Sequence, residues 1–160
     1  MTPLTPLTLA TVDIAETLLD IMVHYDNSTL PRPTRAICLG LGTFSTGPRT
    51  EPYDPQRTGA QLAAFLHLLD VFDIDAAAAK CHDPRFSARD KAFLRSFNLS
   101  LSNAPEEAKA DLVSDVPTLF FCPYLNYDVY EQIFKQNWSA ARMKNVIIVG
   151  SALDGWLNDE

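Results

Sequence analysis

The sequence predicts one α/β domain built on a mostly parallel five-stranded sheet. Segments typical of strands alternate with segments typical of amphipathic helices, which is the pattern of parallel α/β folds. The strongest strand segments, Thr118–Cys122 and Asn145–Val149, are continuous apolar runs, as expected when helices cover both faces of a sheet. The 160 residues, 47% of them hydrophobic, suit a single domain with a sizeable core. With right-handed crossovers, the predicted strand order is 3-2-1-4-5, a doubly wound, Rossmann-like arrangement.

Residues 1–33 are predicted to precede this domain as an arm and an extra helix, which leaves residues 34–160 for the sheet and its helices. Apolar residues recur at helical spacing between Val12 and Tyr25, so an amphipathic helix is expected there. Pro31 and Pro33 end that helix and begin a linker.

The first strand is predicted at 35–39, closed by Gly40-Leu41-Gly42. After a polar loop, Asp54 is a typical N-cap and Pro55 a typical first helical residue, and this helix should run to about Phe72. The second strand is expected at 77–82, and Ser87 should cap a helix that reaches about Phe97.

The remaining predicted elements complete the alternation. They are a weak third strand at 99–101, a helical turn at 105–110, the strand at 118–122, a helix at 126–136 and the last strand at 145–149. Ile37, Phe120 and Ile147 should be buried in the sheet.

The charge of the chain disfavours two classes of partner. The formal net charge is -7 with a pI near 4.8, and no Lys/Arg-rich stripe stands out to offset it. We therefore expect no binding to nucleic acids or to anionic membranes. The three cysteines are widely spaced and predicted to be free thiols, and no secretory signal is evident at 1–7, so we expect a location in the cytoplasm or nucleus.

A candidate crevice lies where the first and fourth strands end, at the point where strand order reverses. Its predicted residues are Gly40, Gly42, Thr43, Ser45, Asp83, Pro123 and Tyr124. Small residues admit a ligand, and Asp83 can accept hydrogen bonds from ribose hydroxyls, which suits S-adenosylmethionine or a nucleotide. NAD is disfavoured, because no third glycine follows and a long loop separates Gly42 from the next helix. The competing interpretation is a structural glycine turn with an Asp-Pro cap.

Other reactive residue types favour structural roles. His24, His67 and His82 lack metal-ligand spacing, so we predict no metal site. Cys38, Cys81 and Cys122 each lie near a strand end, where burial for packing is favoured over convergence as a soft metal or redox site. Trp138 is expected in the core or as an anchor at a helix end.

Four segments resemble the sensitivity-to-red-light-reduced family, in the order in which that family has them. They are Gly40–Ser45 with the following Gln61-Leu62-Ala63, His82–Phe86, Pro117–Pro123, and Asn137-Trp138 with Asn145–Gly150. The resemblance implies a eukaryotic regulatory domain, linked in plants to light input into the circadian clock and elsewhere to haem metabolism and cytoskeletal processes. It implies no established reaction. Where the family commonly has His-Cys, this chain has Tyr124-Leu125, so no role of that pair carries over.

Two hypotheses follow for function. The first is a regulatory or interaction domain that binds a protein partner and performs no chemistry. In one version of this hypothesis, the domain also responds to a small molecule. The alternative is a methyltransferase-like enzyme that uses S-adenosylmethionine at Gly40, Gly42 and Asp83.

Overall fold

The computed structural model describes residues 31–45, 55–102, 104–123 and 125–150 of the chain. Within these ranges, five strands form one all-parallel sheet in the order β3-β2-β1-β4-β5, so the predicted doubly wound order is confirmed. The strands are β1 (Arg35–Leu39), β2 (Ala79–His82), β3 (Ser100–Leu101), β4 (Thr118–Cys122) and β5 (Val146–Gly150). The helices are α1 (Pro55–Phe72), α2 (Ala88–Arg95), α3 (Pro105–Asp111), α4 (Tyr127–Gln136) and α5 (Ala140–Met143).

The central strand, β1, pairs with β2 on one side and β4 on the other. Ile37 stands opposite Lys80 of β2 and Phe120 of β4. Since parallel strands end at one edge, the carboxyl ends of β1, β2 and β4 lie together.

Apolar side chains pack in one layer on each face of the sheet, because successive strand residues point to opposite faces. One layer joins Cys38, Cys81 and Phe121 to Phe65 of α1 and Leu94 of α2. The Phe65 and Phe121 rings stack with centroids 5.6 Å apart. The other layer joins the sheet to α4 and contains Ile37, Leu39, Phe120, Tyr130 and Ile133.

Three local predictions need correction. The second strand begins at Ala79 rather than Ala77, since Ala76–Ala78 form a 3₁₀ turn whose start is capped by the Asp75 carboxylate. The last strand is one residue later than predicted and includes Gly150. The short helix α5, capped by Ser139, was not predicted, because four residues are too few to show a periodicity.

Two predictions of burial are also wrong. Ile37 and Phe120 are buried as expected, but Ile147 is only partly buried, because β5 is an edge strand and pairs with β4 alone among the described residues. Trp138 is 79% exposed rather than in the core. Its neighbour Asn137 is the buried member of the pair, at 0% exposure.

Some predicted features lie outside the described residues. These are the amino-terminal helix at 12–25, the Asp54 cap, His24 and Tyr124 of the candidate crevice. Among the described helices, none combines the length and the apolar character needed to cross a membrane.

Candidate functional site at the carboxyl edge of the sheet

The turn after β1 requires its two glycines. Gly40 and Gly42 have φ angles of 69° and 89°, in the left-handed region that other residues rarely adopt. The Gly40 amide donates to the carbonyl of His82 at 3.1 Å, so the turn leaves the sheet directly above the end of β2. The turn therefore places residues 41–45 over the edge where Asp83 begins the next loop.

Asp83 holds this turn in place. Its Oδ2 accepts a hydrogen bond from the Gly42 amide at 2.7 Å, and its Oδ1 accepts from the Arg85 amide at 2.9 Å. The Arg85 guanidinium lies 3.4 Å from the same Oδ1, and only 1% of the Asp83 side chain is exposed. Both carboxylate oxygens therefore have protein donors, with which a ribose hydroxyl would have to compete.

Asp90, on the first turn of α2, binds the rest of the loop. Its carboxylate accepts hydrogen bonds from the Thr43 hydroxyl at 2.5 Å, the Phe44 amide at 3.0 Å and the Ser45 hydroxyl at 3.1 Å. It also accepts from the Ser87 amide at 2.8 Å, and the Ser87 hydroxyl accepts from the Asp90 amide, which completes a capping box. One carboxylate thus joins the start of α2 to the loop after β1.

Asp90 remains ionised over most of the pH range. Desolvation of this nearly fully buried residue raises its pKa, but hydrogen bonds from Thr43, Ser87 and Phe44 outweigh that effect and hold the pKa below its ordinary value. Asp90 was not among the residues predicted from the sequence. The Ser87-x-x-Asp90 spacing is that of a capping box, and this spacing could have identified Asp90 from the sequence.

The network determines which ligand groups suit the loop. The Gly42, Phe44 and Ser45 amides already donate to Asp83, Asp90 and the Thr43 hydroxyl. Anion sites on glycine loops depend on amides that point at the ligand and on a nearby positive field. Here those three amides point at protein oxygens and two carboxylates lie beneath the loop, so this arrangement disfavours a phosphate.

The structure brings together most of the residues predicted for the crevice. Gly40, Gly42, Thr43, Ser45 and Asp83 belong to one hydrogen-bonded unit with Asp90. Pro123 follows β4 at the same edge of the sheet. The assignment of these residues, with Tyr124, to a ligand stays a prediction.

The three cysteines do not converge on one point. Cys38 and Cys81 stand opposite each other on β1 and β2, and both side chains pack in the layer under α1. Cys122 packs in the layer on the other face. All three are buried free thiols, as predicted. Burial raises the pKa of Cys122 to about 12, and burial next to Cys81 raises the pKa of Cys38 well above its usual range.

The other titratable groups of the described residues do not assemble a metal site. No three side chains of the His, Cys, Asp or Glu types come together there in a suitable group. His67 is exposed on α1, and His82 is partly buried at the end of β2.

Comparison with known proteins gives a consistent result. The family model of the SRR1 domain matches residues 13–160. The SRR1-like protein of Mus musculus is 29% identical over 121 residues, which cover 76% of this chain and 45% of that protein. Protein SENSITIVITY TO RED LIGHT REDUCED 1 of Arabidopsis thaliana is 26% identical over 116 residues, which cover 72% of this chain and 38% of that protein.

The matched region is less than half the length of each of these two relatives. No solved structure matches this chain.

Proposed function

Since this chain belongs to the SRR1 domain family, we propose that it is a regulatory domain that acts by binding a partner protein and catalyses no reaction. The class of function is inferred from the family resemblance noted in the sequence. The fold alone would not support it, because doubly wound folds serve many functions.

One observation carries the non-catalytic part of the proposal. A catalytic carboxylate needs an oxygen that can reach a substrate, with its protonation state matched to proton transfer. Asp83 and Asp90 instead give their oxygens to the backbone and hydroxyls of the Gly40–Ser45 loop and its surroundings. These two carboxylates at the predicted crevice are therefore used to shape the loop.

The regulatory part rests on the relatives. The name of the Arabidopsis protein refers to a reduced sensitivity to red light. The mouse relative bears a name derived from the same family. We extend to this chain only the regulatory class of function. We do not extend to it the light input into the clock that the resemblance implies for plant members.

We also propose a location in the cytoplasm or nucleus. Three free, buried thiols suit a reducing compartment, where cysteines are kept as thiols and used for packing.

Affinity capture tests the proposal. The immobilised full chain and the same chain after heat unfolding are incubated with extract of the source organism, and retained proteins are quantified by mass spectrometry. We expect a defined set retained by the folded chain only. Equal retention by both forms would contradict a role in protein binding.

Calorimetry tests the enzymatic alternative. We expect no saturable heat when S-adenosylmethionine or S-adenosylhomocysteine is titrated into the chain. Micromolar binding that is lost in a folded Asp83→Ala variant would instead favour the methyltransferase hypothesis and overturn ours.

A further inference from the structure

The surface at α2 and just beyond its carboxyl end carries exposed aromatic rings that are not part of the core. Phe93 and Phe97 are 43% and 37% exposed. Their ring centroids lie 5.2 Å apart, and Phe93 also meets Phe44 of the glycine loop at 5.0 Å, both in edge-to-face contact. Exposed aromatic rings in contact with one another are typical of interaction surfaces rather than of isolated surface residues.

Positive charge is concentrated on the same helix and in the turn just before it. Four of the 13 basic residues of the chain fall in a short stretch: Arg85, Arg89, Lys91 and Arg95. Asp90, the acidic residue between them, is buried and engaged with the loop. Arg89, Lys91 and Arg95 form no ion pair with any residue that the structure describes. This cluster was not predicted from the sequence, because the acidic charge of the whole chain conceals it.

The spacing of residues along α2 places Arg89 and Phe93 on one side of a line of small residues and Arg95 on the other. Arg89 and Phe93 are four residues apart and lie along one side of the helix, and Phe97 lies two residues beyond the helix end, where its ring contacts that of Phe93. Ala88, Ala92 and Ser96 are exposed at the same interval and form a line of small residues, with Arg95 on the far side of that line. Small residues allow another helix to approach closely.

From these observations we propose that Arg89, Phe93, Arg95 and Phe97, together with Phe44, form a docking strip for an acidic amphipathic helix of a partner protein. Carboxylates of that helix would pair with the arginines, and its apolar side chains would cover the phenylalanine rings. Arginine and aromatic residues are the types that contribute most to such interfaces. The inference deepens the proposed function and rests on it, since it locates where the partner binds.

The charge of the whole protein selects a peptide over other anionic partners. The strip comprises one short helix with Phe44 and Phe97 beside it, whereas the whole chain carries a formal net charge of -7. A duplex, a long RNA or an anionic membrane interacts with the charge of the whole molecule as well as with the strip, and a formal net charge of -7 disfavours such a polyanion. A short acidic helix would meet only the strip.

Fluorescence anisotropy with the full chain tests the strip. The probe is a synthetic, labelled 18-residue helical peptide with Leu and Phe on one face and Glu and Asp elsewhere. Its control is the same peptide with every Glu and Asp replaced by Lys. We expect the acidic peptide to bind at least about tenfold more tightly.

Variants assign the binding to the strip. We expect Arg89→Glu, Arg95→Glu and Phe93→Ser each to weaken acidic-peptide binding about tenfold or more. Lys109→Glu on α3 and Tyr127→Ser on α4 make matched changes at exposed positions and should leave it within about twofold. Circular dichroism confirms folding, and the two arginine variants keep the test valid if Phe93→Ser unfolds.

Several results would overturn the proposal. Equal losses of peptide affinity in the control variants would show that net charge, and not the strip, determines binding of the peptide. Tighter binding to phosphatidylserine vesicles or to a single-stranded oligonucleotide, lost in the same variants, would assign the strip to another class of ligand. Stronger peptide binding after Glu16→Lys or Asp20→Lys, without the same gain after Glu106→Lys on α3, would show that the acidic amino-terminal segment of this chain occupies the strip.

The two proposals fail separately. If the strip variants bind the peptide normally while affinity capture still retains proteins on the folded chain, the strip is wrong and the regulatory function stands. If capture fails while the variants lose peptide binding as expected, the strip stands and the function is wrong.

Discussion

Asp90 links stability to pH. Its folded-state pKa lies below the ordinary value of about 3.9, so its contribution is fully present at neutral pH and is lost as the pH falls through the folded-state value. Replacement by Asn should remove that contribution and weaken the hydrogen bonds from Thr43, Phe44 and Ser87.

We therefore expect Asp90→Asn to lower the free energy of unfolding by about 2 kcal/mol at pH 7, with a smaller difference from wild type in strong acid. Urea unfolding between pH 7 and pH 2 measures this. Asp70→Asn, at an exposed position of α1, is the control and should change little. A constant difference at every pH would show that the Asp90 carboxylate is not the group that titrates.

Gly42 tests whether the glycine serves the turn or a ligand. Its φ of 89° imposes a cost of about 1–2 kcal/mol on any residue with a Cβ, so Gly42→Ala and Gly42→Val should both destabilise the domain. Gly59, exposed in α1 with open space where a Cβ would lie, is the control. There Ala should raise stability by about 0.5–1 kcal/mol.

Thermal unfolding of the three glycine variants decides the matter. If Gly42→Ala unfolds like wild type, the glycine is not needed for its backbone conformation, and its role in admitting a ligand gains support.

Asn137 and Trp138 have opposite structural roles. The Asn137 side chain accepts a hydrogen bond at Oδ1 from the backbone amide of Ser114 at 2.7 Å. Its Nδ2 donates to the backbone carbonyls of Leu112 and Ile133 at 2.7 Å and 2.8 Å. Asn137→Ala would leave those buried backbone groups unpaired and should cost about 3 kcal/mol. Trp138→Ala should change stability by less than about 0.5 kcal/mol, because the ring is exposed. Chemical denaturation that gave equal losses would contradict this assignment.

At the scale of elements, β5 depends on the absence of a side chain at its last residue. A Cβ at Gly150 would lie 2.7 Å from the Cys122 carbonyl oxygen and would also collide with the Tyr130 hydroxyl. That hydroxyl donates to the same carbonyl at 3.0 Å. We expect Gly150→Ala to displace the end of β5 and cost about 1–3 kcal/mol.

A double-mutant cycle tests the Gly150 contact. Tyr130→Phe removes the hydroxyl, so its cost and that of Gly150→Ala should sum to more than the cost of the double variant. Strict additivity would show that the strain lies elsewhere.

The elements were predictable where one property decides them. Continuous apolar runs identified β1 and β4, and the Ser87 cap identified the start of α2. The burial of Ile147 was not predictable from the run Val146–Val149, because it depends on whether a strand has one neighbour or two.

The site shows the same limit. Glycine spacing predicted the turn, but the hydrogen bond from the Thr43 hydroxyl to the Asp90 carboxylate joins segments that are distant in sequence and requires β1 and β2 to be adjacent.

At the scale of the whole molecule, the two packed layers protect the cysteines. Thiolates react and thiols do not, and the raised pKa values of Cys38 and Cys122 keep both groups protonated. In native protein at pH 8 we expect reaction with a thiol reagent such as dithionitrobenzoate to be limited by unfolding.

In guanidinium chloride all three thiols should react at once. Rapid modification of one equivalent in native protein would contradict the burial of these side chains, and Cys→Ser variants would identify the residue.

The central place of β1 has a consequence for biosynthesis. This strand leaves the ribosome before either neighbour, and its partners, around Lys80 and Phe120, are translated much later. Until β4 emerges, a nascent chain presents an apolar strand with an unpaired edge, which is a template for aggregation. Folding must wait for contacts that are distant in sequence, and such contacts form slowly. We therefore expect the growing polypeptide to need a chaperone over that interval, with spontaneous refolding of the finished chain in milliseconds to seconds.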